Sequence, residues 1–122
     1  MNNRLQEHIE KYIYDTRNPK VNFELGVEFE NIGQYASALT HYLKCAELSD
    51  DNMLQYEAQL RIATVFNKQG GRIKSELNAL HQAIPLAPER PEGYYLIADC
   101  QRRRAFFTEA LMYTRLGKQL PE

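Results

Sequence analysis

The sequence lacks an excess of either charge and any long apolar run. Its 122 residues include 15 Lys and Arg against 16 Asp and Glu, so no overall field attracts the chain to nucleic acid or to an anionic membrane. The first segment, MNNRLQEHIEKY, is polar, which a signal peptide is not. No stretch approaches the roughly 20 apolar residues of a membrane span. We therefore expect a soluble, cytoplasmic protein with no membrane association, whose partners are recognised by local surfaces.

Residues arranged for catalysis or metal binding are also scarce. Cys45 and Cys100 are the only cysteines, and neither has a second Cys or a His at metal-ligand spacing, so we expect two buried thiols. The histidines fall on three different predicted helices, without an Asp, Cys or Ser placed to form a triad; they are His8, His41 and His81. The sequence thus predicts no enzyme activity, no cofactor and no metal site.

Turn-forming residues are few, 6 Gly and 5 Pro, and they separate segments whose apolar residues follow a helical period. The run Asp50-Asp51-Asn52, just before one such segment, could suggest a metal site, but an N-cap for the following helix explains it more simply. No segment alternates in the manner of a strand. The pattern predicts about seven helices, at 3–14, 19–32, 34–48, 52–69, 72–85, 91–104 and 106–119. The first of these has one apolar face, formed by Leu5, Ile9, Tyr12 and Ile13.

One pattern recurs along the chain. The pair Leu25-Gly26 is matched by Ile62-Ala63 after 37 residues and by Ile97-Ala98 after another 35, each time a large residue before a small one. The small residues allow the next helix to pack closely. Gly33 and Gly70, also 37 residues apart, stand where a first helix ends and a left-handed backbone conformation favours glycine.

This pattern resembles the tetratricopeptide repeat (TPR), a helix-turn-helix unit with a period of about 34 residues. The copies span about 19–51, 52–88 and 89–120, and the third has Ala105 in place of the turn glycine. The resemblance implies an all-α fold: a right-handed superhelical solenoid of three hairpins in one continuous domain. Residues 1–18 precede it as an N-terminal capping helix and linker. The first copy matches best, through Leu25, Gly26, Phe29, Gly33, Tyr35, Ala38, Tyr42 and Cys45.

The first helix of each repeat lines the inner groove of such a solenoid. The resemblance implies that this groove binds a peptide or protein segment, which makes a non-catalytic interaction scaffold the leading function. The Lys and Asn clamp with which some relatives bind chaperone C-termini is not expected here, since Phe23 and Val27 occupy its first positions. Extrapolated helix faces place in the groove Phe23, Val27, Glu30, Leu60, Arg61, Thr64, Asn67, Tyr95, Asp99 and Arg102.

The last helix is more apolar than one buried stripe requires. Its apolar residues are Phe106, Phe107, Ala110, Leu111, Tyr113, Leu116 and Leu120. Since a solenoid usually closes with a polar capping helix, we expect this helix to be covered by a second copy, another protein or a following domain. The residues expected to make that contact are Phe106, Tyr113, Leu116 and Leu120.

Two other functions remain open. The runs YEAQLRIATVFNKQG, ERPEGYYLIADCQRRR and QLPE resemble the repeat segment attached to some bacterial and viral glycosyltransferases, which would make this chain an accessory domain that positions an acceptor or promotes oligomerisation. The basic run from Arg102 to Arg104, followed by Phe106 and Phe107, is the one feature that resembles a nucleic-acid contact. A helix C-terminus also favours basic residues, and that structural interpretation is preferred.

Overall fold

The computed structural model describes residues 3–121, and seven α-helices occupy most of that range. Within it there is no β-strand. The helices are α1 (Asn3–Tyr14), α2 (Pro19–Asn31), α3 (Tyr35–Leu48), α4 (Asn52–Gln69), α5 (Ile73–Ala83), α6 (Glu92–Arg103) and α7 (Phe107–Lys118). Three hairpins, α2–α3, α4–α5 and α6–α7, stack in chain order, and α1 packs on α2 ahead of them. The expected all-α, right-handed, TPR-like solenoid is confirmed.

The helix starts follow from capping side chains. The Asn18 side chain accepts a hydrogen bond from the backbone N–H of Val21 at 3.1 Å, and Pro19 occupies the first helical position of α2, where its missing N–H costs nothing. The N-cap predicted in the run Asp50-Asp51-Asn52 is Asp51, whose carboxylate accepts a hydrogen bond from the backbone N–H of Leu54 at 3.2 Å. Such caps satisfy donors that the helix itself leaves free.

The first helices end in the left-handed conformation expected from the sequence. The φ angle is +79° at Gly33 and +78° at Gly70. Gly70 has ψ 154°, so its turn differs from that at Gly33. In the third repeat Ala105, at φ +63°, makes the turn of Gly33 with the same backbone hydrogen bonds, although a side chain disfavours this region. The turn geometry is therefore kept even where its preferred residue is missing.

The predicted helix at 72–85 is shorter than expected. The α-helix α5 ends at Ala83, and Ile84–Leu86 form a turn of 3₁₀-helix. Pro85 explains the difference, because it has no N–H to donate to the carbonyl four residues back and its ring clashes there. The other helix ends lie within one residue of their predicted positions.

The core consists of one large cluster, in which large side chains are set against small ones, and a smaller cluster around Tyr56, Ala83 and Ala87. Gly26 shows why a small residue is needed: a Cβ at this position would lie 2.7 Å from a ring carbon of Tyr42 on α3. The close approach of α2 and α3 expected from the sequence therefore depends on glycine at this point. The largest fully buried side chains are Tyr42, Tyr56, Leu25, Leu80, Ile97 and Val65.

The first helix packs through a narrower face than the sequence suggested. Leu5, Ile9 and Tyr12 are half-buried, and the Tyr12 ring meets the His41 ring edge-on, with 4.9 Å between centroids. Ile13, assigned to the same face, is 66% exposed. Each residue of an α-helix turns about 100° from the one before it. Leu5, Ile9 and Tyr12 therefore lie on one narrow face of the helix, and Ile13 lies beside that face.

Candidate partner-binding groove

A cavity of about 430 Å³ lies between α4 and α6, the first helices of the second and third repeats. Seven side chains line it: Glu57, Leu60, Arg61 and Thr64 from α4, and Glu92, Tyr95 and Leu96 from α6. Their spacing of three or four residues places each set on one helix face. The cavity therefore brings together four of the ten residues predicted to line the groove.

A smaller cavity of about 120 Å³ continues this groove. It shares Thr64 and Leu96 with the larger cavity and adds Asn67, a fifth predicted groove residue, together with the buried Glu76. The hydroxyl of Thr64 donates to the backbone carbonyl of Leu60 at 2.9 Å, so this side chain needs no other hydrogen-bond partner. The two cavities form one trough along α4 and α6, which we call the α4–α6 groove.

Sequence reasoning missed three lining residues of the larger cavity: Glu57, Glu92 and Leu96. A signal for the two glutamates was present, because each lies three residues before a large apolar lining residue, Leu60 or Tyr95. A helix turn separates residues at that spacing, so they share a face.

Other predicted groove residues lie outside the α4–α6 groove. Phe23 and Val27 of α2 are half-buried against the core, and the Phe23 ring centroid is 5.6 Å from that of Tyr42. On α6, the Asp99 carboxylate accepts from the guanidinium of Arg103 at 3.1 Å. These side chains take part in packing or pairing within the chain.

Glu30 is buried and supports the wall of the groove. It is 4% exposed, and its carboxylate accepts hydrogen bonds from the hydroxyl of Tyr42 at 2.7 Å and the ammonium of Lys68 at 2.6 Å. The Arg61 guanidinium lies 3.7 Å away. Burial, with this bond to the Glu30 carboxylate, raises the pKa of Tyr42. Glu30 thus joins the first repeat to the second and has little surface left for a partner.

A second buried carboxylate joins the second repeat to the third. Glu76 of α5 accepts from the Cys100 thiol at 2.9 Å and from the Arg103 guanidinium at 3.2 Å. Burial, followed by the bond to Glu76, raises the pKa of Cys100 to about 12. This thiol is therefore protonated near neutral pH, and Cys45, buried and free as well, has a pKa raised by burial to about 11.

The basic run does not form a continuous charged surface. Arg103 is paired with Glu76, and the Arg104 guanidinium lies over the Phe106 ring at 4.3 Å. Arg102 is exposed and makes no ion pair among the described residues. A nucleic-acid surface requires several such charges together, so this arrangement lends it no support.

Tyr95 lies between the groove and α7. It is 40% exposed, and its ring rests on Gly117 of α7, where a Cβ would lie 2.7 Å from a ring carbon. Gly117 therefore has the same packing role as Gly26, which the sequence analysis did not assign to it. Another cavity, of about 530 Å³, lies beyond Tyr95 and is lined in part by Leu120.

The outer face of α7 leaves large apolar side chains exposed. Phe107 is 67% and Leu111 is 51% exposed, and Met112 and Leu116 are exposed beside them. Of the residues expected to contact a partner here, Phe106 and Leu116 are exposed, whereas Leu120 is half-buried. Tyr113 is also half-buried; it packs against the core, with its ring centroid 6.3 Å from that of His81.

Among residues 3–121, no group of three or more His, Cys, Asp or Glu side chains is placed to hold a metal ion. His41 is half-buried: a ring nitrogen is 2.9 Å from the Asn22 side-chain oxygen, and the ring stacks on Phe29. Burial, with the nearby Lys44 ammonium, lowers its pKa. No helix of this part of the chain is both long enough and apolar enough to cross a membrane.

Solved structures with the same architecture are known. The chain is similar to a crystal structure of MamA, with a TM-score of 0.84 and 16% identity over 94% of this chain and 65% of that one. The fold is TPR-like. A second MamA crystal structure has a TM-score of 0.84 and 17% identity over 95% of this chain and 61% of that one. At such identities the similarity establishes the fold alone.

This chain spans less than two thirds of the length of the two MamA chains. No family model and no curated protein matches its sequence. The resemblance of its second half to glycosyltransferase repeat segments receives no support from these comparisons.

Proposed function

We propose that this chain is a non-catalytic scaffold that holds a segment of another protein in the α4–α6 groove. The observation that carries the proposal is the cavity of about 430 Å³ between two consecutive first helices. Ligand pockets commonly have volumes of about 300–1,000 Å³. A concave surface formed by rigid helices can bind a segment without first being ordered itself, which lowers the entropic cost of association.

The walls of this groove are held by contacts that leave it open. The buried carboxylates of Glu30 and Glu76 join successive repeats, and the Tyr95 ring is supported by Gly117. Glu30 and Gly117 line neither cavity of the groove, and Glu76 lines only the smaller one, so the floor of the larger cavity is free to contact a partner. This arrangement favours recognition of a protein segment over chemical transformation of a small molecule.

Photo-crosslinking tests this function at one side chain. A benzophenone amino acid replaces Arg61, which is exposed on the groove rim, and in a matched protein it replaces Lys74, exposed on α5. Both changes remove one positive charge. In the native cell we expect a discrete protein adduct at Arg61 and none at Lys74.

A variant that fills the groove provides the second part of the crosslinking experiment. Thr64→Arg places a long side chain in both cavities of the groove, and circular dichroism verifies that it folds. The adduct should disappear in this variant, and the partner identified from it, once purified, should bind the wild-type chain alone. Equal adducts at both crosslinking positions, or an adduct that survives Thr64→Arg, would contradict the proposal.

The exposed α7 face supports a second activity, self-association. Leu39, Leu77 and Leu111 are each the fifth residue of the second helix of a hairpin. Leu77 is buried in the core and Leu39 packs against it, whereas Leu111 is exposed. Phe107, the first residue of α7, is also exposed, whereas Tyr35 and Ile73, the first residues of α3 and α5, are half-buried. The α7 face thus has the character of a surface against which another helix packs.

We favour a second copy of this chain as the occupant. The other end of the solenoid, α1, also exposes apolar side chains, with Ile13 at 66% and Tyr14 at 91%. Contact between two different ends would be head-to-tail, which forms rings or filaments instead of a closed pair. Such an interface would remove both apolar patches from water.

Sedimentation at increasing concentration tests this activity. The wild-type chain should show reversible, concentration-dependent association that Leu111→Glu abolishes. Glu47→Gln, at an exposed position on α3, should have no effect. A wild-type monomer at every concentration, or association that Leu111→Glu leaves unchanged, would rule it out.

A further inference from the structure

The floor of the α4–α6 groove is apolar and contributed by both helices. Leu60 of α4 and Leu96 of α6 are half-buried against the core, and Tyr95 lies beside them with part of its ring exposed. An apolar side chain placed here would lose water contact on the side that faces Leu60, Tyr95 and Leu96. Burial of that kind is the main source of affinity in a binding pocket.

The rim of the same cavity carries two carboxylates, one from each helix. Glu57 makes no hydrogen bond or ion pair with any of residues 3–121. Glu92 has only long contacts, 3.6 Å to the Arg90 guanidinium and 3.4 Å to the Tyr56 hydroxyl. The Glu92–Arg90 pair is exposed on both sides, and such pairs hold their partners weakly.

The positive charges near the groove lie close to a buried carboxylate. Lys68 is hydrogen-bonded to the buried Glu30, and Arg61 lies within 3.7 Å of the same carboxylate. Both cations therefore face an anion that the chain itself supplies. Of the charged side chains that line the larger cavity, two are carboxylates, Glu57 and Glu92, and one is a cation, Arg61, so the lining carries one net negative charge.

From this placement we infer that the α4–α6 groove recognises a protein segment in which a large apolar residue is followed or preceded by a lysine or arginine. The apolar side chain lies on Leu60, Tyr95 and Leu96, and the cationic one reaches Glu57 and Glu92. This inference rests on the groove function proposed above and specifies its ligand. Complementary charge at a rim sets selectivity and association rate more than total affinity.

Selection from a displayed library of random peptides tests the inference with the full chain as bait. Four baits are compared: wild type, the groove-filled Thr64→Arg, the rim variant Glu57→Gln/Glu92→Gln, and the control Glu47→Gln/Glu109→Gln. The control has the same change in net charge at exposed positions on α3 and α7. Circular dichroism establishes that each bait is folded.

Wild type and control should enrich the same peptides, in which a large apolar residue adjoins Lys or Arg. Measured individually, these peptides should bind the rim variant about tenfold more weakly and Thr64→Arg not at all, and added salt should weaken their binding to wild type. Peptides that bind the groove without a basic residue, or whose affinity the rim variant does not change, overturn this inference but leave the groove function intact. Enrichment that Thr64→Arg leaves unaltered, or no enrichment with wild type, overturns both.

Discussion

The turn before α7 provides a direct test of how this chain forms its repeats. Ala105 is in the left-handed region at φ +63°. Its N–H donates to the carbonyl of Arg102 at 3.0 Å, and the N–H of Phe106 donates to that of Gln101 at 2.7 Å. This is the Schellman pattern, in which glycine is preferred. We therefore expect Ala105→Gly to stabilise the protein.

The magnitude follows from two opposing terms. A left-handed conformation costs a residue with a Cβ about 1–2 kcal/mol, and glycine loses about 0.5–1 kcal/mol more through backbone entropy on folding. Ala105→Gly should then raise the free energy of unfolding by about 0.5–1 kcal/mol, or the melting temperature by about 2–5 °C for a chain of this size.

The reverse change at Gly33 is the matched control. Gly33 makes the same turn at φ +79°, and a Cβ there would have no atom within 4 Å, so Gly33→Ala isolates the backbone term. It should lower the free energy of unfolding by about the same 0.5–1 kcal/mol. Urea unfolding followed by circular dichroism measures both, with an unchanged denaturant slope as the check on two-state behaviour. Two variants that shift the midpoint in the same direction would refute the reasoning.

Three further variants or conditions test the packing. Gly26→Ala places a Cβ 2.7 Å from the Tyr42 ring and should cost about 1–3 kcal/mol; an unchanged urea midpoint would show that the helices can separate freely. Lys68→Met removes a half-exposed cation from Glu30 and should cost about 1 kcal/mol after allowance for solvent screening, measured in the same assay. Burial raises the pKa of Cys100 from 9.0 to about 12, so alkylation of the folded chain should be slow at mildly alkaline pH. The contribution of this thiol to the free energy of unfolding is fully present below pH 9 and is lost as pH rises towards 12. Rapid alkylation without unfolding would contradict the burial of the thiol.

The helices were predictable because their signals are local. Asp51 caps α4, and Gly33 and Gly70 end first helices, each through the backbone of its own turn. The end of α5 was predicted less well, because the apolar period continues through Ile84 and Pro85 while the missing N–H tightens the helix to 3₁₀. Here two local signals disagreed, and the backbone constraint prevailed.

The groove could be predicted only in part, because helix periodicity gives the direction of a side chain but not the depth of its surroundings. Leu60 and Tyr95 were placed in the groove, and both line its cavity. Glu30 was placed there too, yet Lys68 and Tyr42 enclose its carboxylate. These partners come from other helices, so no pattern within α2 alone could reveal them.

The same limit explains what was overlooked at α7. Gly117 lies inside a helix whose apolar residues are spread around more than one stripe, and its packing against Tyr95 of the preceding helix appears only in three dimensions. Its signal was a small residue among large ones, the feature that identified Gly26. The exposed apolar surface of α7 was anticipated from composition, and its role in assembly stays a prediction.

The central claim, that the α4–α6 groove holds a protein segment, is tested most directly by nuclear magnetic resonance of the labelled chain. A peptide selected on the wild-type bait, or the crosslinked partner segment, is titrated into the protein while amide and methyl shifts are followed. We predict that the peptide shifts the signals of Leu60, Thr64, Tyr95 and Leu96 most. In the Thr64→Arg variant the same peptide should cause no such shifts. Perturbations confined to α1 or to the outer face of α7, with the α4–α6 groove signals unmoved, would contradict the central claim.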